Sequence, residues 1–252
     1  MQDIMIKDIK PVEPKDRIIT ALDFDNIDDV IKYVELLKDY SGFFKAGLPL
    51  LTSCGFEAAD IIKAHGGRVY FDGKFQDIPN VAAQTCVNLM KRGIDFFNLS
   101  VTGGSKMLNA AVSACRAYSD ESGLPMPVIL GSTLLSSFGQ KTLTNELCVN
   151  MNISSCVLRL SKTAKEAGLA GVIAPDTDAC RIKSELGSDF IVVCPAVRPV
   201  WAAADDQIRI ASPAEAVRAG ADYIIIGRPI THSQDPVSAA KLIISEIEEA
   251  LK

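Results

Sequence analysis

Short apolar runs alternate along the chain with longer segments in which apolar residues recur at helical spacing. Eight of the short runs are rich in β-branched and aromatic residues, which predicts strands. Two of them, at 191–193 (IVV) and 224–226 (III), lack polar alternation, as expected for parallel strands covered on both faces. The predicted strands are 17–22, 42–45, 68–71, 95–100, 127–131, 171–174, 190–194 and 223–226. The predicted helices are 27–38, 49–65, 79–92, 104–119, 141–167, 176–186, 212–219 and 235–251.

This order of elements predicts an α/β fold made of one closed (β/α)8 TIM barrel. A helix follows each strand, no linker or break in composition divides the chain, and its 252 residues match the usual size of such a barrel. We therefore expect residues 17–252 to form a single catalytic domain, with residues 1–16 as an N-terminal extension. An open, doubly wound sheet is the alternative fold.

Polar residues gather where the predicted strands end. Because all strands of such a barrel point the same way, their carboxyl ends share one face, and active sites form at that face. A lone aspartate at a strand end is usually a turn or cap residue, whereas charge or hydroxyl groups at six ends together indicate a site. These residues are Asp23, Lys45, Asp72, Lys74, Ser136, Arg198, Gly227 and Arg228.

The segment 70–80 (YFDGKFQDIPN) carries three charges within six residues. Asp72 and Lys74 are two residues apart at a predicted strand end, so their side chains should leave the same face of the strand. Asp77 follows in the turn before a helix that has Pro79 in its first turn. A surface ion pair is the alternative interpretation, but the apolar residues around these charges argue for a site that holds an ammonium among carboxylates.

The end of the last predicted strand indicates a phosphate site. Gly227 allows the backbone to approach a ligand closely, and Arg228 offers a planar fork of donors that suits phosphate oxygens. Phosphate commonly binds after strands seven and eight of this fold, and the loop after strand seven adds Arg198 and Gln207. A surface salt bridge is the alternative role for Arg228.

Composition narrows the class of protein. The formal net charge of −5 argues against general binding to nucleic acid, which needs a basic surface. No apolar run is long enough to span a membrane. The seven cysteines form no C-x-x-C pair, so we expect reduced, buried thiols in a cytoplasmic protein. The two histidines stand in no nucleophile–base pattern, which argues against a histidine-based catalytic or metal site.

These segments together resemble the orotidine 5′-phosphate decarboxylase family from about residue 18 to residue 240. The most specific match is 72–80 (DGKFQDIPN), which fits the family's D-x-K-x-x-D-I-P signature. Supporting matches are 21–23 (ALD), 44–47 (FKAG), 195–199 (PAVRP), 206–209 (DQIR) and 227–230 (GRPI). The resemblance implies a homodimeric carboxy-lyase of pyrimidine biosynthesis that converts orotidylate to UMP without a metal or an organic cofactor.

The resemblance also implies a role for each matching residue. Lys74 would protonate a carbanion at C6 of the pyrimidine, and Asp72 would face the substrate carboxylate. Asp77 would reach into the site of the partner subunit. The other implied substrate contacts are Asp23 and Lys45 at the ribose, Ser136 at the pyrimidine, Ile78, and Arg198, Gln207, Gly227 and Arg228 at the phosphate.

Four positions depart from the family's usual pattern. Gly73 stands in place of an apolar residue, Val81 of Thr or Cys, Ser100 of His, and Ala196 of Gly. The glycine predicts a looser strand end, and the valine predicts one fewer polar contact with substrate. Because every charged residue of the signature is present, we expect the type of reaction to be retained.

Two other functions remain open from the sequence. One is a Mg²⁺-dependent sugar-phosphate decarboxylase or aldolase-type lyase of the same barrel superfamily, which shares D-x-K-x-x-D. The segments 206–207 and 227–230 favour the nucleotide enzyme over it. The other is an inactive barrel that binds a nucleotide as a sensor, and the presence of Lys74 argues against that role.

Overall fold

The computed structural model of the chain describes residues 11–94, 96–202 and 211–252. Within these residues eight parallel strands form a closed barrel in which each strand pairs with the next and the last pairs with the first. The strands are β1 (Ile18–Leu22), β2 (Phe43–Gly47), β3 (Val69–Phe75), β4 (Phe96–Ser100), β5 (Val128–Ser132), β6 (Gly171–Ile173), β7 (Ile191–Cys194) and β8 (Tyr223–Ile226). The predicted barrel is confirmed, and the open sheet is wrong because β1 and β8 pair directly.

Helices lie between the strands and bury their apolar faces against the outside of the barrel. They are α1 (Ile27–Leu37), α2 (Leu48–Cys54), α3 (Glu57–Ala64), α4 (Pro79–Lys91), α5 (Ser105–Ser122), α6 (Ile153–Glu166), α7 (Asp176–Leu186), α8 (Pro213–Arg218), α9 (Arg228–Thr231) and α10 (Pro236–Ala250). A π-helical turn covers Thr142–Glu146, and short 3-10 helices cover Pro14–Arg17 and Val101–Gly103. None of the helices in the described part of the chain is long and apolar enough to cross a bilayer.

Two predicted helices are interrupted. Gly55, with φ of 60°, ends α2, so the predicted helix 49–65 is two helices. The predicted helix 141–167 is a π-helical turn followed by α6, which begins where the Asn152 side chain accepts hydrogen bonds from the N–H groups of Ser154 and Ser155. The apolar spacing on the two sides of each break imitates one continuous helix, so periodicity alone did not locate either break.

The cysteines are free thiols at all seven positions, but they are not uniformly buried. Cys86, Cys115 and Cys194 are buried, whereas Cys148 and Cys180 are exposed. Burial raises the pKa of the Cys194 thiol, which makes a buried thiol of this kind unreactive. The expectation of buried thiols is therefore wrong for the two exposed residues.

Each strand is apolar on both faces because it separates two cores. On β1, Ile19 and Ala21 belong to a cluster inside the barrel, whereas Ile18 and Leu22 pack among the helices. All five residues of β1 are therefore buried. This double burial explains why the strand sequences are continuous apolar runs.

Aromatic rings fill the amino-terminal half of the barrel. Phe43, Phe96 and Tyr223 are the first residues of their strands, and Tyr70 is the second residue of β3. The ring centroid of Phe96 lies 4.8 Å from that of Phe43, 4.7 Å from that of Tyr70 and 5.9 Å from that of Tyr223. Burying one such ring stabilises the fold by about 1.5–3 kcal/mol. The filled end leaves only the carboxyl-terminal end of the barrel for a ligand.

Two residues near that open end have left-handed backbone. Lys74 has φ of 45° and Ala196 has φ of 62°. A side chain in this conformation crowds the neighbouring carbonyl and costs about 1–2 kcal/mol relative to the ordinary regions. Glycine adopts such a φ without strain because it has no Cβ. Ala196 therefore carries a strain that the glycine expected here from the family resemblance would not.

We expect Ala196→Gly to stabilise the protein by about 0.5–1 kcal/mol. Removing the left-handed strain gains about 1–2 kcal/mol, and the greater freedom of glycine in the unfolded chain returns about 0.4–1 kcal/mol of it. Thermal unfolding should therefore shift upward by about 1–4 °C. The control is Ala202→Gly, because Ala202 lies in the same loop without a positive φ and gains no such relief. A lower unfolding temperature for Ala196→Gly than for the parent protein would contradict the strain argument.

Candidate active site

A cavity of about 430 Å³ opens at the carboxyl ends of the strands. It is lined by residues from six strand ends, the same six at which the sequence places polar residues. The lining residues are Ala21, Asp23, Lys45, Asp72, Ser136, Pro195, Ala196, Val197, Arg198, Ile225, Gly227, Arg228, Pro229 and His232.

Four charged side chains form an alternating row, and three of them, Asp23, Lys45 and Asp72, line this cavity. The Lys45 ammonium Nζ lies 2.8 Å from Asp23 Oδ1 and 3.8 Å from Asp72 Oδ2. The other oxygen of Asp72, Oδ1, lies 2.7 Å from Nζ of Lys74. The row therefore runs Asp23, Lys45, Asp72, Lys74, and both oxygens of Asp72 face a cation.

The middle of the row is buried. Lys45 is 8% exposed and Asp72 is 6% exposed, whereas the side chain of Lys74 is 34% exposed. Removing one partner of a buried ion pair leaves a charge without compensation and costs about 3–5 kcal/mol. The two inner charges therefore depend on each other, while Lys74 retains access to solvent.

The register of the strands sets the spacing of the row. Gly47 on β2 lies opposite Asp72 on β3, and Lys45 lies opposite Tyr70. Because side chains alternate along a strand, Tyr70 and Asp72 share the inner side of β3. Between Phe71 and Phe75 the pairing with β4 is irregular, and Lys74 has a φ of 45°, so simple alternation does not apply to it. Its ammonium nevertheless meets the Asp72 carboxylate, as the sequence reasoning expected.

Asn98 on β4 is a member of the site that the sequence reasoning missed. Its side chain is fully buried, and its Nδ2 donates hydrogen bonds to Asp72 Oδ1 at 2.7 Å and to the Tyr70 hydroxyl at 2.8 Å. Its Oδ1 accepts the backbone N–H of Lys74 at 2.7 Å. The available signal was a single amide in an otherwise apolar strand core, 96–99 (FFNL).

Ser100 holds the other side of the Lys74 backbone. Its hydroxyl donates a hydrogen bond to the Lys74 carbonyl oxygen at 3.2 Å. Lys74 is thus bonded at both its N–H and its C=O by side chains of β4. These two bonds help to hold a left-handed backbone that Lys74 would otherwise leave.

The ends of β7 and β8 contribute basic side chains to the cavity. Arg198 is 5% exposed, and Arg228 begins the short helix α9 directly after Gly227. His232, which the sequence reasoning set aside, ends the same helix and also lines the cavity. These side chains offer donors for an anionic group at the end of the cavity away from Lys74.

Three predicted site residues of the described chain do not line this cavity: Lys74, Asp77 and Ile78. Asp77 is exposed, and its Oδ1 accepts the N–H of Ile78 at 2.7 Å. Ile78 is 66% exposed, which is high for an apolar residue. Gln207 lies outside the described residues, so its predicted phosphate contact stays a prediction.

Comparisons with known proteins show the family of the chain. The family model described as Orotidine 5'-phosphate decarboxylase / HUMPS family matches residues 16–243. The chain belongs to this family. Among curated relatives, an orotidine 5'-phosphate decarboxylase from Trichlorobacter lovleyi is 43% identical over 235 residues, which cover 93% of this chain and 96% of that protein. One from Moorella thermoacetica is 42% identical over 234 residues, 93% of each chain.

A solved structure of a family member has the same fold. The crystal structure of orotidine 5'-phosphate decarboxylase from Lactobacillus acidophilus matches with a TM-score of 0.79 at 32% identity, covering 91% of this chain and 98% of that one. The predicted family and the predicted enzyme class, a carboxy-lyase, are confirmed by these relatives.

At Gly73, one of the four departures from the family pattern, a neighbouring side chain fills the space that a larger residue would occupy. A Cβ placed on Gly73 would lie 2.4 Å from Cζ of Phe75. The Phe75 ring stacks on Phe71, with centroids 6.0 Å apart, and Phe71 stacks on Phe56 at 5.2 Å. An aromatic ring therefore occupies the space of the missing side chain, which opposes the loosening expected from the glycine. Val81 on α4 is 39% exposed, and whether it costs a substrate contact stays a prediction.

Gly47 leaves room for the Lys45 ammonium. A Cβ at position 47 would lie 2.4 Å from Lys45 Nζ and 3.2 Å from Asp23 Oδ1. Because real Cβ atoms do not approach so closely, a side chain here would displace the ammonium rather than the backbone. Position 47, in the family segment 44–47, is thus a glycine because any larger residue would collide with the Lys45 ammonium of the charged row.

We expect Gly47→Ala to separate Lys45 from Asp23 while leaving the fold intact. The lysine side chain is flexible, so it can move its ammonium at little cost in stability. A crystal structure of the variant should show the Nζ–Oδ1 distance beyond the hydrogen-bonding range of about 3.2 Å. Gly139→Ala is the control, because a Cβ at Gly139 meets open space. An unchanged Lys45–Asp23 contact in Gly47→Ala would refute the steric role of the glycine.

Proposed function

We propose that the protein decarboxylates orotidine 5′-monophosphate to UMP in pyrimidine biosynthesis. The observation that carries the proposal is the Lys74 ammonium held 2.7 Å from the buried Asp72 carboxylate beside a cavity with arginines at its other end. The relatives support the choice of reaction, since those from Trichlorobacter lovleyi and Moorella thermoacetica carry the name of this enzyme. We assign catalysis to residues 17–252 and treat 1–16 as an extension.

The chemical problem is a carbanion without resonance stabilisation. When the bond from C6 to the carboxylate breaks and CO2 leaves, the electron pair stays in an sp² orbital at C6 that no ring carbonyl can accept by resonance. A cation placed at that carbon stabilises the charge as it develops. In this proposal the Lys74 ammonium supplies the charge and then transfers a proton to C6. The resulting neutral amine regains its proton from solvent.

Repulsion between Asp72 and the substrate carboxylate contributes less in this arrangement. Two unit charges about 4 Å apart interact by roughly 4 kcal/mol at an effective dielectric of 20. Each oxygen of Asp72, however, already faces a cation, Lys45 or Lys74. Most of the carboxylate's field at the substrate is thereby compensated. We therefore assign Asp72 chiefly to holding the Lys74 ammonium in place.

We assign the contacts of the ribose, the pyrimidine and the phosphate to other residues of the site. Asp23 and Lys45 contact ribose hydroxyls, and Ser136 contacts the pyrimidine. Phosphate is bound by Arg198, Gln207, Gly227 and Arg228. Binding energy from this remote phosphate can be used to hold the reacting ring against Lys74, which raises the rate rather than only the affinity.

A metal-dependent lyase is the second candidate, because the family description spans more than one enzyme. The expectation of a cofactor-free reaction is therefore a proposal to be tested. Orotidylate loss, followed by ultraviolet absorbance, should proceed equally with and without EDTA. Loss of activity in EDTA and its return with Mg²⁺ would support the metal-dependent lyase and contradict the proposed mechanism.

We expect Lys74→Ala to abolish measurable orotidylate decarboxylation. A positioned acid alone contributes about 10²–10⁴-fold, and electrostatic stabilisation of the transition state adds a further 10²–10³-fold. The loss in kcat should therefore be at least about 10⁴-fold. Lys91→Ala is the matched control, since Lys91 is an exposed residue at the far end of α4. A wild-type protein without activity, but with UMP bound, would indicate the nucleotide sensor instead.

We further propose that the protein is a cytoplasmic homodimer in which Asp77, with Ile78, serves the partner's site. Both residues are exposed at the rim and neither lines the cavity of its own chain. An exposed apolar residue beside a carboxylate suits a contact between subunits. The free thiols are compatible with a reducing compartment.

Mixing two inactive variants tests the shared site. When Lys74→Ala and Asp77→Ala proteins exchange subunits, each mixed dimer should contain one site with both residues intact. Random exchange of equal amounts then restores about a quarter of the wild-type activity, because the two-fold arrangement gives each mixed dimer one good site of two. No recovery despite confirmed mixed dimers would mean that Asp77 acts within its own subunit.

A further inference from the structure

The buried amide of Asn98 joins the two ends of the Asp72–Lys74 pair. Its Nδ2 bonds the Asp72 carboxylate and its Oδ1 bonds the Lys74 backbone, each at 2.7 Å. We propose that Asn98 is a positioning residue for the decarboxylation, which fixes the carboxylate plane of Asp72 and the backbone of Lys74 so that the ammonium points at C6. The inference rests on the proposed function.

The orientation of this amide follows from its partners. The Lys74 N–H can only donate, so the atom that faces it must be the amide oxygen. The Asp72 carboxylate can only accept, so the atom that faces it must be the amide nitrogen. If the amide were turned over, its NH2 group would face the Lys74 N–H, which is also a donor. Its oxygen would face the Asp72 carboxylate, which is also an acceptor. The Asn98 amide is thus held in one orientation, and in that orientation its hydrogen bonds fix both the Asp72 carboxylate and the Lys74 backbone.

The other contacts of Asn98 adapt to this arrangement. Nδ2 also lies 2.8 Å from the Tyr70 hydroxyl and 3.2 Å from Ser132 Oγ, and both hydroxyls can accept or donate. Burial, and secondarily the charge of Asp72, raise the pKa of Tyr70, so its phenol stays protonated. Neither hydroxyl can replace the amide, because neither bonds Lys74.

Lys74 needs such a restraint because its backbone is strained. Its φ of 45° is unfavourable for a side chain with a Cβ. Without the Asn98 bond the N–H of Lys74 would lose its partner in a partly buried setting, and the residue could relax towards an ordinary conformation. That relaxation would swing the side chain away from Asp72. A displacement of about 1 Å at a reacting group can cost about 10²-fold in rate.

The isosteric substitution Asn98→Asp separates positioning from packing. Aspartate keeps an oxygen for the Lys74 N–H but offers a donor to Asp72 only while it is protonated. The charged or titratable groups around position 98 are Asp72, Lys74 and Tyr70 on β3, with Lys45 of β2 on the far oxygen of Asp72, while β5 contributes the neutral Ser132 hydroxyl. An acid placed beside Asp72 should therefore give kcat a new pH dependence.

The test is the kcat–pH profile of orotidylate decarboxylation for wild type, Asn98→Asp and Asn98→Ala. We expect Asn98→Asp to be most active at low pH, where its carboxyl group donates to Asp72, and to lose activity about tenfold per pH unit above the new ionisation. Asn98→Ala should lose about 10²-fold in kcat at every pH, with KM changed little. Asn109→Asp is the matched control, since Asn109 is exposed on α5 and should keep the wild-type profile.

Binding of UMP, measured by calorimetry, shows whether the variants retain a folded site. We expect affinities within a few-fold of wild type, because the ribose and phosphate contacts are elsewhere. If the wild type is active and Asn98→Asp keeps the wild-type kcat and pH profile, the positioning role of Asn98 is overturned while the proposed function stands. Loss of UMP binding by both Asn98 variants would also overturn that role, because Asn98 would then support the fold as a whole. An inactive wild type would overturn the proposed function and the inference together.

Discussion

The structure of the site depends on one buried carboxylate. Asp72 is 6% exposed, and burying a carboxylate is costly unless it is paired and hydrogen-bonded. Lys74, Lys45 and Asn98 provide that pairing and hydrogen bonding, and each comes from a different place, β3 itself, β2 and β4. Polar groups from three neighbouring strands therefore meet at a single side chain. The same requirement holds an ammonium at the cavity, where a developing carbanion would need it.

The two ends of the barrel divide stability from chemistry. Aromatic rings at the starts of β2, β4 and β8 pack against one another at the amino-terminal end and contribute to stability there. The strained residues Lys74 and Ala196, which have left-handed backbones, lie near the carboxyl-terminal end. A core that is rigid at one end can support strain at the other, which is where backbone strain usually accompanies function.

Departures from the family pattern are compensated by their neighbours. The ring of Phe75 fills the space beside Gly73, and Ser100 bonds the carbonyl of Lys74. The strain at Ala196 comes from the positive φ of its own backbone. Among the described contacts, none compensates it in the way that Asn98 and Ser100 restrain Lys74. Family membership at 43% identity is thus compatible with local differences around an intact charged row.

The sequence by itself determined the barrel and the identity of most charged site residues. Periodicity is local, and polar residues at strand ends need only the rule that parallel strands end together. Tertiary structure alone decided that Asn98 bonds both Asp72 and Lys74, that Gly47 leaves room for Lys45, and that Phe75 fills the space at Gly73. These three contacts depend on strand register and on side-chain direction between residues distant in sequence or folded back on each other. No local pattern encodes such distances, because they are set only when the barrel closes.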